Sequence, residues 1–418
     1  MKRMYWCGLP WLAVACASSI PVTAPVTTHG QREPIEVAFS NDYNLVLVPA
    51  RIPGIERELT MMVDSGAPMV LSTALAEELG LRARASSQLL DSAGAMLDAA
   101  PIEIPQLSVG DLELERLGGF ATTLDFDLCL EIDGVLGSGW PRRSGFFDQT
   151  AVEIDYPRAR VRLAPSGEDL TPGGAIVPIR RGDPNTPGPQ LYAQVAIEDH
   201  TIWALLDTGN AGPVYLPPAF FTEIGHRIDE PGALRSRGAV SSGATGKTLV
   251  GTQYETRLRS LRLGELDLRG VAIAVEHADD PAQAGATRHA MLGNEFMRDF
   301  RVVVDVPAGI ARFVLEPGRD PNTPRPGYGV GIRIAGGAVR VTAISEGGPA
   351  SRAGLELDDE VVAVDGKPVH MTDRASLCAA QRAIKNTAGT TLQIRTRRDD
   401  VDEDHELVLG PTLAPLPP

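Results

Sequence analysis

The chain repeats a short chemical motif in the same structural context, 143 residues apart. Leu59-Thr60-Met61-Met62-Val63 runs into Asp64-Ser65-Gly66-Ala67, and Ile202-Trp203-Ala204-Leu205-Leu206 runs into Asp207-Thr208-Gly209-Asn210. Each motif is preceded by an extended apolar segment, Tyr43 to Pro49 and Leu191 to Ile197, and followed by a helix-like stretch ending in Gly80 or Gly225. The downstream landmarks recur too. Gly134-Val135-Leu136-Gly137 corresponds to Ala290-Met291-Leu292-Gly293, and Val152-Glu153-Ile154-Asp155 to Val302-Val303-Val304-Asp305. A repeat of this period, built from short apolar runs with Gly-Asp and Gly-Glu turns, reads as two copies of one mainly β unit. A single ordinary domain is excluded, since 418 residues exceed what one core organises.

Composition narrows the function. The formal net charge is −15, which argues against nucleic acid or anionic membrane as a principal partner. No apolar run is long enough to span a bilayer. Lys2 and Arg3 precede the apolar run Met4 to Cys16, and small residues follow, as in a secretory signal. Cleavage before Cys16 would make it a lipid-attachment residue of a bacterial lipoprotein; ordinary cleavage after Ala15 or Ala17 is the alternative. The protein is therefore expected outside the cytoplasm, periplasmic or held at a membrane by an N-terminal lipid. Beyond the signal only Cys129 and Cys378 remain, and their separation leads us to expect two buried or free thiols without a disulfide. The seven histidines are scattered, with no HExxH or CxxC, so neither metal nor cofactor is expected.

A lone Asp-Ser-Gly is ordinarily a strand-ending turn. Duplication behind buried strands changes that weighting, and here both copies resemble the retropepsin-like aspartic proteases. In that family a hydrophobic-Asp-Thr/Ser-Gly-Ala loop and a later hydrophobic-Leu-Gly strand form each half of the site. The resemblance covers residues 40 to 316 and departs from the pattern at Asn210 and Ala290. It implies a bilobal β-barrel protease whose catalytic dyad is Asp64 and Asp207. Gly66 and Gly209 would give close backbone approach, and Ser65 and Thr208 would cross-link the two loops as support. Two such carboxylates share one proton, so the ionised member activates water while the protonated one donates to the scissile carbonyl. The family's flaps would fall at Asp91 to Met96 and Ser241 to Lys247. Both halves in one chain favour a monomer, a dimer that pairs copies between chains being the alternative.

From Gly327 the texture changes. Pro349-Ala350-Ser351-Arg352-Ala353-Gly354-Leu355, with Val361 to Gly366 and a helix from Arg374 to Ile384, is similar to a PDZ domain. Asp358 stands where that family has Gly; Asp tolerates the left-handed turn. The resemblance implies a small α+β module in which Gly329, Val330, Gly331 and Ile332 receive the C-terminus of a peptide or protein, added as an extra strand. The boundaries read as signal 1–17, tether 18–39, lobes 40–165 and 190–316 joined by a Pro/Gly-rich linker 166–189, a second linker 317–326, PDZ domain 327–410 and a disordered tail 411–418. The leading expectation is an exported aspartic endopeptidase acting on polypeptides. The competing one is a periplasmic peptide-binding protein that retains the fold without catalysis. A serine hydrolase is set aside, because Gly137-Ser138-Gly139 lacks the nucleophile-elbow spacing.

Overall fold

The computed structural model describes residues 33–411, apart from 82–86, 127–128, 130, 141, 184–185, 229, 231, 245, 280–288, 322, 324–325 and 386–389. The signal, Cys16, most of the tether and nearly all of the C-terminal tail lie outside the described residues. The chain is mainly β.

The repeated Val-x-x-Asp segments meet at the centre. Ala151–Asp155 pairs antiparallel with Phe300–Asp305, bringing Ile154 opposite Val302 and Val152 opposite Val304. Ile35–Ala38 and Arg160–Ala164 extend this sheet on one side, and Ile310–Leu315 and Ala175–Asp183 on the other. Ala151–Asp155 is buried along its whole length, and its two carboxylates are paired there, Glu153 with Arg162 and Asp155 with Arg158. One sheet therefore runs through both copies, and their hydrophobic core is continuous.

Above this base each copy builds the same local topology. In the first, Leu59–Pro68 runs parallel to Gly134–Ser138, which pairs on its other edge with Val70–Ser72. In the second, His200–Leu206 runs parallel to Met291–Leu292, which then pairs with Val214–Tyr215. The short helices after each Asp loop have local causes. Thr73–Glu78 is N-capped by the Ser72 hydroxyl, which accepts from the Leu75 amide at 3.2 Å. Pro218–Glu223 carries proline in its first turn. Gly80 and Gly225 end them in the left-handed region, at φ +64° and +81°.

The C-terminal module has its own core, in which Leu377 and Ala380 of helix Arg374–Lys385 pack with Ile332, Val341, Leu355, Ile394 and Leu407. Asp358 takes φ +69°, the left-handed turn. The module is not an isolated bead. Its strand Ala338–Ser345 pairs antiparallel with Leu234–Ser242 of the second copy, Arg237 opposite Ile344 and Gly238 opposite Ala343. On the other side Cys129 forms a disulfide with Cys378. The expectation of two separate thiols is thus corrected. A separation of 249 residues hides a Cα–Cα distance of 5.3 Å, because docking of one module on another leaves no mark in local sequence.

Candidate active site

Asp64 and Asp207 emerge from the ends of the two apolar strands and lie side by side, joined by a hydrogen bond between their carboxyl groups. The loops carrying them interlock reciprocally. The Ser65 amide donates to Thr208 Oγ1 at 2.9 Å, and the Thr208 amide donates to Ser65 Oγ at 3.2 Å. Each hydroxyl also reaches the other copy's strand: Ser65 Oγ donates to the Leu206 carbonyl at 2.5 Å, and Thr208 Oγ1 to the Val63 carbonyl at 2.9 Å. Both side chains are fully buried, so these bonds are shielded from water and fix the relative height of the loops.

Glycine is required at both loops by contact rather than by dihedral. A Cβ on Gly66 would stand 2.7 Å from the Asp207 carboxyl, and one on Gly209 would collide with the Asp64 carboxyl. Each glycine therefore clears space for the opposite copy's acid, while its amide donates to the acid of its own loop, at 2.7 Å for Gly66 and 3.0 Å for Gly209.

Burial dominates the electrostatics. It pushes the Asp64 carboxyl up to about 6, against the pull of the Gly66 amide, the Asp207 hydrogen bond and the Gly209 and Ala67 amides. Asp207 is held well above the ordinary carboxylate range, first by burial and then by the neighbouring Asp64 charge. Such a pair carries one proton, and its titration belongs to both groups.

Two supports were not foreseen. Asn294, directly after the second Leu-Gly, donates from Nδ2 to the carbonyls of Thr208 at 2.8 Å and Asn44 at 2.9 Å, and its Oδ1 accepts from the Tyr156 hydroxyl at 2.5 Å. One buried amide thus ties the second loop to the first copy. The Asp148–Arg181 ion pair, 2.8 Å and nearly buried, sits behind the first Leu-Gly, where Asp148 also accepts from the Gly139 amide at 2.7 Å. Neither has a local signature, since Asn and Arg take their roles from partners more than thirty residues away.

Hairpins stand at both flap positions. Ser87–Leu90 and Met96–Val109 turn through Asp91, whose Oδ1 accepts from the Ala93 and Ala95 amides. Leu234–Ser242 and Thr248–Arg257 turn at Gly243, whose amide donates to the Lys247 carbonyl. The tips touch: Ser92 Oγ donates to the Ser242 carbonyl at 3.5 Å, and a Cβ on Gly243 would collide with the Asp91 carboxyl. At the C-terminal module, Gly329 adopts φ +69° and Val330, Gly331 and Ile332 lead into the strand Val330–Ala335, alongside helix Arg374–Lys385. No group of three or more His, Cys, Asp or Glu among the described residues is arranged to hold a metal ion.

Residues 48–140 match the family model of the aspartyl proteases, and residues 340–398 match that of the PDZ domain. The first match contains Asp64 and its Leu-Gly strand; the second begins after the Gly329 to Ile332 turn. No curated protein matches the chain. The chain thus carries a retropepsin-like aspartyl protease domain followed by a PDZ domain.

Proposed function

We propose that this chain is an exported aspartic endopeptidase that assembles its site from its own two copies. The observation that carries the proposal is the reciprocal Ser65–Thr208 interlock, which presents two buried, hydrogen-bonded carboxyls at one point. Asp64, the member more readily ionised, serves as base toward a water, while protonated Asp207 donates to the scissile carbonyl oxygen. The water oxygen adds to the carbonyl carbon, and collapse of the resulting gem-diol with proton transfer to nitrogen breaks the C–N bond. No covalent enzyme intermediate forms. Ser65 and Thr208 hold the loops, and Gly66 and Gly209 admit the opposing acids.

The continuous central sheet supports pairing within one chain, hence a monomer. The Cys129–Cys378 disulfide supports an oxidising compartment such as the periplasm, with or without lipid at Cys16. The PDZ domain supplies the strand edge at Gly329 to Ile332 for a peptide C-terminus. The test is cleavage of an unfolded protein by the mature chain between pH 4 and 9, beside Asp64→Asn and Asp207→Asn. Cleavage abolished by both substitutions supports one shared dyad. A folded chain that cleaves nothing at any pH favours the non-catalytic peptide-binding alternative.

A further inference from the structure

A PDZ groove is walled by one strand and one helix, here Val330–Ala335 and Arg374–Lys385. Residues 374, 378, 381 and 385 share one face of that helix by their spacing, and each of them meets the first protease copy. Arg374 ion-pairs with Glu131 at 3.1 Å, and Cys378 is bonded to Cys129. Gln381 Oε1 accepts from the Tyr43 hydroxyl at 3.5 Å, and the Lys385 ammonium lies 3.8 Å from the centre of the Tyr43 ring. This is the groove-facing stripe, because Gln381 also reaches across and donates from Nε2 to the Ile332 carbonyl at 3.2 Å. Cys378 and Gln381 are 4% and 8% exposed.

The same module grips the second flap. Besides the strand pairing at Ser236 to Gly238, Arg333 donates to Ser242 Oγ at 3.1 Å and Glu346 ion-pairs with Arg237 at 2.7 Å. The PDZ domain therefore straps the first copy to the flap of the second.

We infer that the PDZ groove is occupied by the protease's own first copy, through Tyr43, Cys129 and Glu131, and that the Cys129–Cys378 disulfide is the latch that keeps it closed to peptide C-termini. The remaining contacts are an exposed ion pair, a long hydrogen bond and a cation–π contact, each weak alone. With the bond closed, a free peptide competes against a covalently held occupant; with it open, the occupant counts only as a tethered one at finite effective concentration. Opening requires a dithiol reductant: its two electrons and two protons convert the S–S bond to two thiols, and the reductant closes to its own disulfide. A surface cavity of about 520 Å³ lined by Pro49, Thr60, Cys129, Glu131 and Arg374 gives that reductant an approach.

Hydrogen exchange of the full mature chain tests this without requiring turnover, so its outcome is separate from whether the dyad cleaves. Non-reducing digestion should first recover the Cys129–Cys378 linked peptide. Dithiothreitol, and separately Cys378→Ser, should then raise amide exchange at least tenfold in Val330–Ala335 and in Leu234–Ser242, while Ala151–Asp155 stays protected. Tyr43→Ala, which spares both cysteines, should raise exchange at Val330–Ala335 by a smaller factor. Two free thiols in the native chain would overturn the inference, as would unchanged exchange after reduction. Loss of protection in Ala151–Asp155 as well would also overturn it, since the bond would then be a global staple.

Discussion

The two copies agree closely at the carboxyl loops and part company in what surrounds them. At the carboxyl loops every contact has its mirror: two acids, two interlocking hydroxyls, two glycines pressed against the opposing carboxyl. One turn further on the likeness ends. After the first Leu-Gly stands Ser138, fully buried, with a hydroxyl that has no partner among the described residues; after the second stands Asn294, which makes two bonds to the first copy and one to the Thr208 carbonyl of its own. The walls differ as well. Val70 in the first copy packs with Leu45, Leu47, Met62, Ile132 and Val135, an apolar cluster flanked by Tyr43, Leu124 and Phe126. In the second, Tyr215 lies within the fields of Glu276, Glu255 and Glu295, and burial followed by Glu295 pushes Glu255 up to about 7. The flaps diverge most, since among the described residues only the second is extended by a PDZ strand. The two copies thus share the paired acids and their interlock, and differ in the residues that surround them.

The largest expected effect tests the symmetry itself. Asp64→Asn and Asp207→Asn should each lower cleavage by about a thousandfold, because neither acid works without the other; a large loss from only one would break the pairing. Gly66→Ala and Gly209→Ala should each cost about a hundredfold in kcat by displacing the opposing acid, with KM little changed. Unequal losses would measure how unevenly the two loops yield.

Asn294→Ala and Ser138→Ala sharpen the asymmetry. The first strands the Tyr156 hydroxyl and two carbonyls and should destabilise by about 2–3 kcal/mol in denaturant unfolding. The second removes a hydroxyl that bonds nothing among the described residues and should lie within about 0.5 kcal/mol of the parent. Equal effects would mean the two positions play one role.

The smallest effect concerns pH. The acid limb of activity should fall near pH 6, where Asp64 loses its proton. Because its folded pKa is raised, the folded chain keeps a proton that the unfolded chain releases near pH 4, so stability falls as pH rises from about 4 through 6. Asp64→Asn, which removes that titrating group, should remove the decline, raising Tm by a few degrees at pH 7.5 and by much less at pH 4. A gain independent of pH would place the strain elsewhere.

Much of this was legible in the chain. Alternating and continuous apolar runs, with Gly-Asp and Gly-Glu turns, act over a few residues, and they mark the strands around Asp64 and Asp207, the helices ending at Gly80 and Gly225, and the left-handed Asp358. The disulfide was misread because Cys129 and Cys378 are neighbours only once the PDZ domain has docked. Two equivalent acid-bearing loops and a small module after them follow from the residue order, since local periodicity and turn chemistry specify such units. How they meet is a property of the folded chain: which acid ionises first, which amide bridges the loops, and that the module lies across both copies. Burial, carboxyl proximity and groove occupancy arise from residues more than a hundred positions apart, and no local pattern encodes that approach.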